Sequence, residues 1–167
     1  MRQPVLNNTK ENVKELFELL NSLDIKYDKV EHKEVFTCEQ AEFVKGLING
    51  QGCKNLFLKN NKKQYFLYVL PDDARADIKA VSKENSLGHL SFANEEELSE
   101  ILHLKKGSVT PLGFINDTNH VVELLIDNRL KDKKLLFHPN TNTATISIEF
   151  NDFIRFLNYE TNKYIFV

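Results

Sequence analysis

His138 stands directly ahead of Pro139 in the stretch FHPNTNTATISI, Phe137–Ile148. A following proline disfavours helical backbone, so this imidazole is presented from an extended segment and not from a helix ridge. Asn140, Thr141, Asn142 and Thr143 come next, with amides and hydroxyls that either bond their own backbone in a turn or point at a ligand. A neutral imidazole in that company can accept a hydrogen bond from an amine or orient a water; the same residues also suit a plain turn with a structural histidine. A second stretch, GSVTPLG at Gly107–Gly113, is a loop whose first glycine allows backbone that other residues rarely adopt. Gly107 can also close a helix C-terminus. His32, His89, His103 and His120 show no ligand-like spacing with carboxylates or cysteines, so neither a metal nor another cofactor is expected.

The elements that hold these groups follow from length and patterning. At 167 residues the chain is expected to form one domain, 1–167, around a single substantial core. Its 28% charged and 41% hydrophobic content argues against wholesale disorder. No apolar run is long enough to span a bilayer, and MRQPVLNNTKEN lacks the apolar stretch of a signal peptide, so a cytoplasmic protein without a membrane partner is the expectation. Cys38 and Cys53 lack CxxC spacing, which argues against a zinc ribbon or a disulfide framework and suits a reducing compartment. The net charge of −2 does not advertise a nucleic-acid binder, nor does it exclude one. The local clusters Lys59, Lys62, Lys63 and Lys131, Lys133, Lys134 could meet a few phosphates if they share a face, and are otherwise solvated turns.

In chain order, Asn8 with Glu11 reads as a cap ahead of a helix carrying Val13, Leu16, Phe17, Leu20 and Leu23. Ile25 to Val30 suggests a short strand, and Thr37 with Gln40 a capping box ahead of a helix through Ala41, Val44 and Leu47, ended at Asn49-Gly50. KNLFLK and QYFLYVL, Lys54–Leu70, read as a hairpin apolar enough to be buried on both faces. Asp77–Asn85 is a helix, Leu90–Phe92 a short strand, and Asn94 with Glu97 caps a helix to Leu104. Strands at Val121–Ile126, Leu135–Phe137 and Ala144–Ile148, a helix at Asp152–Asn158 and a strand at Tyr164–Val167 complete an α+β domain with a mixed, largely buried sheet flanked by helices.

Five separated pieces, KNLFL, YVLP, LSFANEEEL, GSVTPLG and HPNTNTAT, come in an order that resembles the YbaK/ProX family of free-standing aminoacyl-tRNA deacylases, relatives of the editing domain of bacterial prolyl-tRNA synthetases. The resemblance covers roughly residues 10–160 and is most detailed toward the ProX branch. It implies hydrolysis of alanine mischarged on proline tRNA, with the tRNA(Pro) acceptor end as partner and prolyl-tRNA synthetase as a further one, in a monomer or homodimer. It implies catalytic roles for Lys54, Gly107 and His138, with substrate contacts from Asn55, Ser108, Pro111 and Asn140. Alternatives within the resemblance are a deacylase for a cysteinyl or seryl ester, and a regulatory module that binds an aminoacyl-tRNA or amino acid without turnover. Where some ProX relatives carry a glycine, this chain has Phe137. An aminoacyl ester is already reactive, so the site need only hold it, orient a water and stabilise charge on the carbonyl oxygen. Selection of alanine over proline has to be steric, because a missing methylene is worth only about 1–3 kcal/mol in binding. The expected sieve lies between His138, the first helix and the Ile25–Phe36 segment, with Val35, Phe36 and Phe137 as its walls.

Overall fold

Val13, Leu16 and Leu20 recur at helical spacing, and the chain winds there into α1 (Val5–Ser22), with Leu16 and Leu20 fully buried. The computed structural model describes residues 5–35 and 37–167, without the side chains of residues 5–8 and Cys38. Because α1 is already helical at Val5, Asn8 lies inside it and is not its cap. A capping signature is local and worth only about 1 kcal/mol, so flanking residues that continue the helix override it. β1 (Tyr27–Glu31) follows, then α2 (Cys38–Lys45), opened by the Thr37–Gln40 box: each backbone N–H donates to the other's side-chain oxygen at 3.1 Å. α2 closes at Lys45, capped by Gly46, before the Asn49-Gly50 pair that had marked its end.

β2 (Gln51–Lys59) and β3 (Tyr65–Pro71) are the expected hairpin, in register from Cys53 opposite Pro71 to Lys59 opposite Tyr65. After them come α3 (Ile78–Asn85), β4 (Ser91–Phe92), α4 (Glu95–Leu102), a 3-10 turn at Pro111–Asn116, β5 (Val122–Ile126), β6 (Leu135–Phe137), β7 (Ala144–Ile148), α5 (Phe150–Glu160) and β8 (Tyr164–Phe166). α5 is longer than Asp152–Asn158 because Phe150, Phe153, Phe156 and Leu157 carry one buried stripe along the whole span.

The strands form one mixed sheet in the order β1-β7-β6-β2-β3-β5-β8, with β4 on β2. β2 is shared: Gln51 and Gly52 run parallel to β6, whereas Cys53 onward pairs antiparallel with β3. Alternation splits the strands between two apolar clusters. Phe57, Leu67, Val69, Leu124 and Ile126 pack with α1, α4 and α5, while Leu58, Phe66, Tyr68, Leu70 and Leu125 pack with Val81 of α3. The sheet is therefore buried on both faces, as its nearly continuous apolar strands require. The lysine clusters do not make a free basic face: Lys59 pairs with Glu97 at 2.8 Å, Lys134 with Asp28 at 3.2 Å, and Lys131 lies 4.3 Å from the Phe166 ring centre. No described helix is long and apolar enough to cross a membrane.

One carboxyl in this frame makes stability depend on pH. At the end of α5, burial pushes Glu160 up from its ordinary 4.5 to about 7, with Asp117 acting in the same direction and His120 against it. The folded state therefore binds this proton more tightly than the unfolded one, so the stability is full below about pH 4 and declines as pH rises through about 7. Glu160→Gln is expected to stabilise the protein at pH 8 by about 1–2 kcal/mol, roughly 3–6 °C in Tm. It should change little at pH 4. Calorimetry at both pH values checks this; an equal Tm shift at each would show that Glu160 ionisation is not the cause.

Candidate active site

Where β2 leaves β6 for β3, the sheet opens into a cavity of about 100 Å³. Its apolar walls are Val35, Ala41 and Val44 from the α2 side and Leu136 and Phe137 from β6. The α2 capping box decides which helical face meets the sheet: Val44 is buried and Ala41 half-buried, while Phe43 is 70% exposed on the other side. A salt bridge ties the far end of α2 down, Lys45 Nζ to Asp72 Oδ2 at 2.9 Å, and this bond raises the Lys45 pKa. Gly52 makes room for it, since a Cβ there would come within 2.1 Å of the Asp72 carboxylate. Cys53 also borders the cavity, but burial, helped by the Asp72 charge, pushes its thiol up to about 12. It stays protonated and is no nucleophile at neutral pH.

The polar end of the cavity is made by Asn55, His138 and Thr145. His138 Nδ1 lies 3.0 Å from the Ala144 carbonyl oxygen, so it carries the proton and leaves Nε2 as an acceptor. Burial, and to a lesser degree His32, hold the His138 pKa below the usual imidazole range, and the ring is neutral at pH 7. Asn55 Oδ1 is buried without a hydrogen-bond partner among the described residues. The turn that presents His138 is held from behind. Asn140 takes left-handed backbone, φ 59°, and donates its N–H to the His138 carbonyl. Its side-chain amide donates to Asn12 Oδ1 of α1, which also accepts from Asn116, both at 2.9 Å. Asn142 donates to the Val35 carbonyl at 2.9 Å, joining this turn to the opposite wall.

A small apolar chamber ending in hydrogen-bond acceptors is a place for an amine-bearing group with a short side chain. Residues 32–156, which include all of the cavity walls, match the family model of the aminoacyl-tRNA editing domain. The chain belongs to the aminoacyl-tRNA editing domain family. It is 33% identical over 147 residues to the prolyl-tRNA editing protein ProX of Acetoanaerobium sticklandii, covering 87% of this chain and 90% of that protein. It is 36% identical to the prolyl-tRNA synthetase associated domain-containing protein 1 of Danio rerio, covering 86% and 80%. The crystal structure of a candidate trans-editing enzyme for prolyl tRNA synthetase shares the fold, with a TM-score of 0.68 at 19% identity over 92% of this chain and 94% of that one.

Of the site residues expected for an editing domain, the structure brings Val35, Asn55, Phe137 and His138 to one cavity. Lys54 does not line it: strand alternation sets Lys54 with Leu56 and Leu58, opposite Cys53 and Asn55. Lys54 is half-buried on that other face. Ser108 and Asn140 border a second, polar hollow together with Lys105, Lys106 and Asn142. Gly107, at φ 91°, turns the chain beside Asn142; α4 is closed instead by His103 in left-handed backbone. Pro111 is buried at the start of the 3-10 turn and reaches neither hollow. Phe36 lies outside the described residues. The expected contribution of the first helix to the sieve is replaced by α2, because the β2–β6 pairing opens the sheet beneath Ala41 and Val44. Sequence reading missed Lys45, Asp72 and Thr145, which reach the cavity from separate elements; the close approach at Gly52 was the signal for Asp72.

Proposed function

We propose that this editing domain hydrolyses the ester of alanine mischarged on tRNA(Pro). The observation that carries the reading is the cavity itself: about 100 Å³, with Val35, Ala41 and Val44 beside the Lys45–Asp72 pair on the α2 side, and polar at the His138 end. An alanyl group would place its methyl against Val35, Ala41 and Val44, and its α-ammonium toward His138 Nε2 and Asn55 Oδ1, both of which accept. Such bonds to a charged donor contribute about 1.5–3 kcal/mol each. A prolyl ring adds bulk where the wall is already closed, and overpacking a dense site costs about 1–3 kcal/mol. Water attacks the ester carbonyl carbon, the bond to the terminal ribose oxygen breaks, and free alanine and uncharged tRNA leave. The polar hollow with Lys105, Lys106 and Ser108, and Lys54 on the face of β2 turned away from the cavity, supply cations and donors for the acceptor end.

The test is single-turnover deacylation of alanyl, seryl, cysteinyl and prolyl tRNA(Pro). Alanyl ester is expected to be cleaved at least about tenfold faster than prolyl ester, the size of discrimination that a methylene or two supports. Val44→Ala should narrow that gap by admitting the ring. If no ester is cleaved above the buffer rate, the domain is a binding module; if seryl or cysteinyl ester is preferred, the pocket reads a polar side chain.

A further inference from the structure

The geometry points to His32 as a positioning residue that sets which way the Thr145 hydroxyl faces in the editing cavity. The inference rests on the deacylase reading above for its kinetic consequence, though not for its geometry. His32 lies on the chain just after β1, and the pairing of β1 with β7 brings it beside the site. Its Nδ1 is 2.7 Å from the Lys33 carbonyl oxygen, and a carbonyl only accepts, so Nδ1 holds the proton of the neutral ring. Nε2, 2.9 Å from Thr145 Oγ1, is then an acceptor and takes the hydroxyl proton. Thr145 is 6% exposed and borders the cavity. With its proton drawn back toward His32, its oxygen lone pairs face the chamber. The polar end of the cavity then presents three acceptors, Thr145 Oγ1, His138 Nε2 and Asn55 Oδ1, apart from the Asp72 carboxylate that Lys45 engages, and an ammonium has three protons to give.

Protonating His32 reverses this arrangement. Both ring nitrogens then donate, Thr145 must accept from Nε2, and its proton turns toward the chamber, where it opposes a bound ammonium. The charge also appears 6.2 Å, ring centre to ring centre, from His138. The other charged groups around His32 are balanced: Lys10 of α1, Lys29 with Glu31 of β1, Lys33 with Glu34, and Glu39 of α2. The hydrogen bond, and not a one-sided field, is what changes.

Two measurements decide the matter. In nitrogen-15 imidazole spectra of the unliganded protein, the neutral His32 ring is expected as the Nδ1–H tautomer, and as a mixture in Thr145→Val; an Nε2–H tautomer in the wild type overturns the inference. This readout needs no turnover, so it stands or falls apart from the deacylase reading. In deacylation of alanyl-tRNA, His32→Ala is expected to lose about tenfold in kcat/KM, one hydrogen bond's worth, and His32→Gln, whose amide oxygen can accept from Thr145, to recover most of it. A residue that merely supports the fold would not be rescued by restoring one acceptor, so a His32→Gln protein as slow as His32→Ala, with the fold of both intact, overturns the inference.

Discussion

His138→Ala is expected to lower kcat/KM for the alanyl ester by about 10- to 150-fold, the equivalent of one hydrogen bond to a charged donor at about 1.5–3 kcal/mol. The fold should survive. His138 follows β6 in a turn whose shape is held by Asn140 and Asn12, so removing the ring gives up one bond to the Ala144 carbonyl and the packing of one half-buried ring while the turn stays in place. Burial keeps the ring neutral at pH 7, so activity is expected to hold through neutral pH and fall only as the solution becomes acid enough to protonate it. The division between kinetic constants identifies the role: a rise in KM means that His138 holds the α-ammonium in ground and transition state alike, whereas a fall in kcat alone means that it orients the attacking water. A variant with wild-type constants would remove His138 from the site.

Phe137→Ala is expected to destabilise the protein by about 3–5 kcal/mol and to lower Tm by roughly 10 °C or more. As a sieve wall, Phe137 would be trimmed with a gain of larger substrates. The structure gives it another duty: it is 2% exposed, belongs to the main core, and packs its ring 5.0 Å from that of Phe153 in α5. Only part of the side chain borders the cavity, so truncation leaves a void in the core before it widens the site. Thermal unfolding of Phe137→Ala beside Val44→Ala separates the two effects. The first is expected to lose stability and all esters in parallel; the second should keep its Tm within a few degrees and lose selectivity. A Phe137→Ala protein with wild-type Tm and a broadened substrate range would return this residue to the sieve.

Much of the fold was legible in the sequence because it rests on local physics. The Thr37–Gln40 and Asn94–Glu97 boxes, the apolar hairpin strands and the helical spacing of Leu16 and Leu20 each specify their own element. Asn55 and His138 were singled out in the sequence by the motif order, and His138 also by the proline that restricts its backbone, and both line the cavity; their roles there are the proposal. The chamber was not legible. Its walls come from α2, β2, β6, β7 and Asp72, and they meet only because β2 changes partners from β6 to β3. That change also separates Lys54 from Asn55, adjacent in sequence and on opposite faces of one strand. His32, dismissed on its spacing, reaches Thr145 through the β1–β7 ladder. Residue type and neighbours along the chain determined the elements and the chemistry on hand; strand order and register, set by burial of both sheet faces, decided which groups share a cavity.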